Sequence, residues 1–130
     1  MGVKRKRVLV VCSMGLNRSK YLASYLKNKG YNTCFGGIGF GRIDKKAHNP
    51  FNQEDVDWAK VIIVVRKKHK PLLKKHYKIK NKKIIVLEVR DSRKAIGEKY
   101  PKLNNLDFET FQRRWTRPQL RKAIKPYLPL

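Results

Sequence analysis

The run Cys-Ser-Met-Gly-Leu-Asn-Arg-Ser over residues 12–19 holds residue types that can do chemistry together. A cysteine thiolate is a strong nucleophile. Arg18 supplies a planar fork for two phosphate oxygens. Gly15, between them, lets the backbone curl where a Cβ would obstruct. Ser19 offers a hydroxyl that can hydrogen-bond the sulfur and help it leave. The backbone N–H groups of Ser13, Met14, Gly15, Leu16, Asn17, Arg18 and Ser19 can cradle an anion at the start of a helix. These N–H groups, the helix dipole and Arg18 all favour the thiolate of Cys12. The chemistry is in-line attack of Cys12 on phosphorus, with the same donors holding the phosphoryl group and its transition state. A buried core cysteine is the plain alternative, but it leaves the offsets of Gly15 and Arg18 unexplained.

The flanking segments are suited to present such a loop. Val8-Leu9-Val10-Val11 is a continuous apolar, β-branched run, as in a strand buried on both faces. From Ser19 to Lys29 the apolar Tyr21, Leu22, Tyr25 and Leu26 recur at helical spacing, and Gly30 fits the position just past a helix end. Tyr31–Phe35 reads as a second strand ended by Gly36-Gly37, and residues 36–52 read as loop. A short helix is predicted from Asn52 or Gln53, with Glu54, Asp55 and Asp57 early in it. Val61–Val65 is the clearest strand, residues 67–77 a helix with Pro71 near its first turn, and Ile84–Val89 a fourth strand. Residues 90–106 read as irregular. Phe108, Phe111, Trp115, Leu120, Ile124 and Leu128 suggest terminal helices, with Pro118 starting one or kinking one.

Strands alternating with helices predict an α/β fold: a single doubly wound domain over 1–130, with a four-stranded parallel sheet flanked by helices. The 130 residues suit one domain. In such sheets ligands bind beyond the carboxyl ends of the strands. The phosphate-binding loop after the first strand lies there.

The pattern Cys-x5-Arg-Ser between strand and helix resembles the protein tyrosine phosphatase superfamily. The spacing of Cys12, Gly15, Arg18 and Ser19 is that of the dual-specificity and classical branches, whose loop usually lies late in the domain. The low-molecular-weight tyrosine phosphatases place the loop after the first strand, as here, and their element order follows this chain to its end. The chain is therefore read as low-molecular-weight-like, the alternative being a permuted dual-specificity-like domain. The resemblance implies a phosphocysteine intermediate and an aspartate, on the loop after the last strand, acting as acid and then base. Asp91 occupies that place, so Cys12, Arg18 and Asp91 form the implied catalytic set. Asp107 is a second candidate that also suits the cap of a helix near Phe108.

The chain departs from the family at several places. Ser92 and Arg93 replace the usual Pro and aromatics after the aspartate. Met14-Gly15 replaces Gly-Asn, and Asn17 stands where the family has a second loop cysteine, which rules out a disulfide within the loop. An arsenate reductase reading would need further shuttling cysteines. Only Cys34 remains, and it is expected to point into the sheet core.

The chain carries 33 Lys and Arg against 9 Asp and Glu, a formal net charge of +24. Polyanions relieve such self-repulsion, which makes RNA or an acidic protein a candidate partner. Basic clusters run from Arg66 to Lys83, with ten Lys and Arg in eighteen residues, and from Arg113 to Lys125. Neither matches a named nucleic-acid motif. His48, His69 and His76 lack metal-ligand spacing, and His69 and His76, seven apart on one helix, are expected at the surface. Trp58 and Trp115 are expected to pack. No metal or cofactor is called for, and no apolar run is long enough to span a membrane. Two cysteines without a framework suit the cytoplasm. The expected function is hydrolysis of a phosphomonoester: phosphotyrosine, phosphoserine, a small ester or a nucleic-acid end. The alternative is a catalytically weak phosphate clamp binding RNA or a ribonucleoprotein. Nothing in the sequence sets an oligomeric state.

Overall fold

The computed structural model describes residues 6–39, 47 and 49–130. The first residues of the basic leader, the middle of the 36–52 segment and His48 lie outside the described residues. Four parallel strands form one sheet in the order β2-β1-β3-β4: β1 Arg7–Cys12, β2 Asn32–Gly37, β3 Val61–Val64 and β4 Lys83–Val86. The helices are α1 Arg18–Asn28, α2 Gln53–Trp58, α3 His69–His76, α4 Arg93–Lys99, α5 Phe108–Phe111 and α6 Arg117–Ile124.

Both faces of the sheet are covered, so β1 from Val8 to Cys12 and the whole of β3 are apolar and buried. Side chains alternate across a strand. Val8, Val10 and Cys12 of β1 pack with Val61, Ile63, Leu22, Leu26, Leu120 and Ile124 on the face covered by α1 and α6. Leu9 and Val11 pack with Ile62, Val64, Val56 and Leu73 on the face covered by α2 and α3. The strand order reverses between β1 and β3, which opens a crevice at their carboxyl ends. Cys12 is the last residue of β1, at that crevice.

The predicted doubly wound sheet is what forms, with differences at element ends. Gly36 and Gly37 belong to β2 rather than ending it. β4 stops at Val86, and Leu87 and Val89 continue as a buried extension, their N–H groups bonded to Val64 O and Val65 O. The stretch expected to be irregular holds α4, capped by the hydroxyl of Ser92. α4 buries only Ile96 and Gly97, which left no helical period to read. Asn52 caps α2 in a reciprocal capping box with Asp55. Gln112–Thr116 forms a π-helical turn between α5 and α6, and Pro118 lies in the first turn of α6.

Candidate active site

The loop 13–17 is built from the outside inward. Its carbonyls are tied to the neighbouring backbone. Cys12 O accepts from Ile38 N–H at 2.9 Å, Ser13 O from Gly39 N–H at 2.8 Å, and Met14 O from Asn49 N–H at 2.9 Å. Gly15 O accepts from Asn49 Nδ2 at 2.9 Å. A trans peptide points its N–H opposite to its C=O, so these bonds turn the N–H groups of residues 13–16 to the other side. That side holds the Cys12 sulfur, and Gly15 N–H donates to it at 3.1 Å. Gly15 has φ +78°, and an added Cβ would overlap Asn49 O and Gly37 N. A Cβ on Gly37 would in turn run into the backbone of Met14 and Gly15. Glycine is required on both sides of this contact.

The helix after the loop completes the cradle. Asn17 makes no side-chain cap bond, and the first turn of α1 has no acidic residue. The N-terminal N–H groups and the dipole are thus left to an external anion. Cys12 is buried, with its thiol donating to Ser19 Oγ at 3.1 Å. Arg18 is only 7% exposed, and a charge so placed needs partners. Its Nη1 donates to Val89 O at 2.8 Å, and its Nε lies 3.2 Å from Asp91 Oδ2. The buried extension of β4 therefore carries the acceptor and the carboxylate that hold the guanidinium. Cys12, Arg18 and Asp91 share one pocket of about 180 Å³, with Asn17, Arg66 and Lys68 also on its wall.

The structure thus brings together Cys12, Ser13, Met14, Gly15, Asn17, Arg18, Ser19 and Asp91. Leu16 faces outward and is exposed. Asp107 stands apart as the cap of α5, where its bonds to Thr110 hold the carboxyl below its usual range. Cys34 packs against the α2–α3 face, and burial, with Asp55 adding, pushes its thiol up to about 11. It pairs in register with Leu9, three residues back from Cys12, or about 10 Å along the sheet. Both cysteines are free. Trp58, the last residue of α2, packs against the α2–α3 face, and Trp115 lies tilted against the Tyr100 ring while donating to Arg90 O. Among the described residues no group of His, Cys, Asp and Glu is placed to hold a metal, and no helix is long and apolar enough to cross a membrane.

One expectation is overturned. His69 is not a surface residue: it is fully buried, and its Nε2 lies 2.9 Å from Ser13 Oγ, beneath the loop. Burial, then the nearby Arg18, Lys68 and Arg66 charges, lowers its pKa to about 3, so the ring is neutral at ordinary pH. His76, seven residues on, is exposed as expected. Heptad spacing placed both on one helix but said nothing of which end meets the loop. The available signal was topological: His69 follows β3 at the carboxyl edge of the sheet. Asn49, Gly37, Arg66 and Lys68 were also not singled out as site residues. Each reaches the site only through tertiary folding.

No protein-family model matches the chain, and no curated protein matches it in sequence. Solved structures do match its fold. A low-molecular-weight protein tyrosine phosphatase from T. tengcongensis aligns with a TM-score of 0.62 at 18% identity, over 95% of this chain and 97% of that one. The YwlE arginine phosphatase from Geobacillus stearothermophilus aligns with a TM-score of 0.52 at 16% identity, over 94% and 90%. YfkJ from Bacillus subtilis aligns with a TM-score of 0.54 at 15% identity, over 96% and 98%. With its loop after β1 and its sheet order, the chain has the low-molecular-weight protein tyrosine phosphatase fold across nearly its whole length.

Proposed function

We propose that this protein is a cysteine-dependent phosphomonoesterase. The observation that carries the reading is the Cys12 sulfur, held between Gly15 N–H and Ser19 Oγ in a pocket whose wall includes Arg18 and Asp91. The substrate's phosphoryl group sits on the loop N–H groups and the α1 N-terminus, with the Arg18 fork on its oxygens. Cys12, its thiol proton given up to solvent, attacks phosphorus through Sγ as the bond to the ester oxygen breaks. Asp91 gives its proton to that oxygen, and the alcohol departs. Water then attacks the phosphocysteine and gives a proton to Asp91. The S–P bond breaks, Ser19 stabilises the departing thiolate, and inorganic phosphate is released. The site is regenerated, and the net reaction is ester plus water to alcohol plus phosphate.

Several features support this assignment of roles. Asp91 is the carboxylate on the pocket wall among the described residues. His69 is neutral and holds Ser13 from below, so it buttresses the loop and adds no competing cation. Two of the matched structures are phosphatases, one named for tyrosine and one for arginine.

Hydrolysis of a chromogenic aryl phosphate without added metal, between pH about 5 and about 8, tests the reading. Wild type should turn over, and Cys12→Ser should lose activity by at least about a thousandfold while staying folded. A folded wild type with no turnover would contradict it and leave an anion clamp as the remaining use of the loop.

A further inference from the structure

A second depression adjoins the catalytic pocket and is unused by the mechanism above. It lies between α1 and α5 and meets the pocket at Asn17, which lines both. Its volume is about 290 Å³, larger than the catalytic pocket's and near the lower end of ligand sites. Four features of its wall point to one kind of occupant. Phe108, the first residue of α5, is 45% exposed, with the Arg93 guanidinium 5.8 Å from its ring centroid and the rest of the ring open to the groove. Lys20 and Arg117 contribute positive charge, although Arg117 is shared with Glu109, 3.1 Å away. Leu16 adds an exposed apolar edge beside the phosphate loop.

The fourth feature is Gln112. It is only 4% exposed, yet its Nε2 has no hydrogen-bond partner among the described residues. Buried amides are nearly always paired. An unpaired one costs free energy, and Gln112 is among the residues that line the groove. It is also the first residue of the π-helical turn, a distortion often found at functional sites. A planar ligand with acceptor atoms on its edge would stack on Phe108 and accept from Gln112 once that side chain turns toward the groove.

We infer that this groove receives the terminal nucleotide of a single-stranded nucleic acid whose end phosphate lies on the Cys12 loop. The inference rests on the phosphomonoesterase reading and names its substrate. A nucleobase has the planar face and the acceptor edge, and stacking on an aromatic side chain is tolerant of sequence. The next backbone phosphates meet Lys20 and Arg117. The net charge of +24 supplies attraction along the rest of the strand. A phosphotyrosyl peptide satisfies these features less well. Its ring would already occupy the catalytic pocket, which leaves the buried Gln112 amide without a partner.

The test separates the groove from catalysis. Fluorescence anisotropy on the Cys12→Ser protein measures binding of a short labelled oligothymidylate with a phosphate at its 5′ or 3′ end. The comparisons are the unphosphorylated strand and a tyrosine-phosphorylated peptide of similar length. At least one phosphorylated strand should bind about tenfold or more tighter than either comparison ligand. Phe108→Ala, at an exposed position, should weaken it by about tenfold. Gln112→Leu should weaken it as well, with Phe108→Ala keeping the test intact if Gln112→Leu fails to fold. Tighter binding of the peptide, or an affinity unmoved by Phe108→Ala, would overturn the inference. Aryl phosphate hydrolysis by wild type reports separately on the phosphatase reading, so the two can fail independently.

Discussion

Mild acid should destabilise this protein through a single buried imidazole. His69 is fully buried under the loop, with a folded pKa of about 3, against about 6.5 for an unperturbed histidine. Between those values the unfolded chain binds a proton that the folded chain refuses. Stability therefore rises with pH in that window and falls as pH drops from about 6.5 toward about 3. The full gap corresponds to about 4–5 kcal/mol, and the part lost between pH about 7 and about 5 is about 2 kcal/mol. That is a large share of a domain stability of about 5–15 kcal/mol. Urea unfolding at both pH values measures it directly. His69→Asn removes the titrating group. The variant should be less stable than wild type at pH about 7, because the packing and the Ser13 contact are changed, but should lose much less than wild type on acidification. If His69→Asn loses the same stability as wild type between the two pH values, the buried neutral histidine is not the cause and the reasoning fails.

Three further substitutions probe the loop and its partners. Gly15→Ala forces a positive φ on alanine and drives its Cβ into Asn49 O and Gly37 N; thermal unfolding should show a loss of about 2 kcal/mol or more. Asp91→Asn removes the proton donor and one partner of the buried Arg18. Its kcat should fall about a hundredfold or more for esters of poorly departing alcohols and much less for nitrophenyl phosphate, so equal losses on both would assign Asp91 a structural role alone. Ser19→Ala removes the hydroxyl 3.1 Å from the sulfur. Breakdown of the phosphoenzyme should slow by about tenfold or more, visible as a burst in stopped-flow release of the alcohol.

How much could be read from sequence depends on how locally each feature is encoded. β1, the loop and α1 are contiguous, so the residue types of 8–29 carried the strand, the glycine turn and the arginine fork together. Ser19 against the Cys12 sulfur also followed from that short span. Asp91 was legible only through the family resemblance, and the parallel sheet puts its loop at the same edge as the loop after the first strand. His69 was missed, although its place after β3 put it at that edge. Its neighbours Lys68 and Lys70 read as a solvated surface, and only the packing of α3 against β3 brings it under Ser13. Gly36 and Gly37 were read as a strand end because glycine weakens strands. They are strand residues by their pairing with Val11 and Cys12, and glycines because the phosphate loop and Phe51 pass too close for any Cβ. Gln112 was not singled out, and Phe108 sat in an apolar pattern that described packing. Phe111 fills that role, while Phe108 is exposed beside a groove formed jointly with α1.

The central claim is that Cys12 carries the phosphoryl group during turnover. Mass spectrometry of the protein quenched while hydrolysing an aryl phosphate, followed by peptide mapping, tests it most directly. One phosphoryl group should appear on the peptide containing Cys12, should accumulate further in Ser19→Ala, and should be absent from Cys12→Ser. Turnover with no phosphoryl group on Cys12, or turnover retained in Cys12→Ser, would contradict the account.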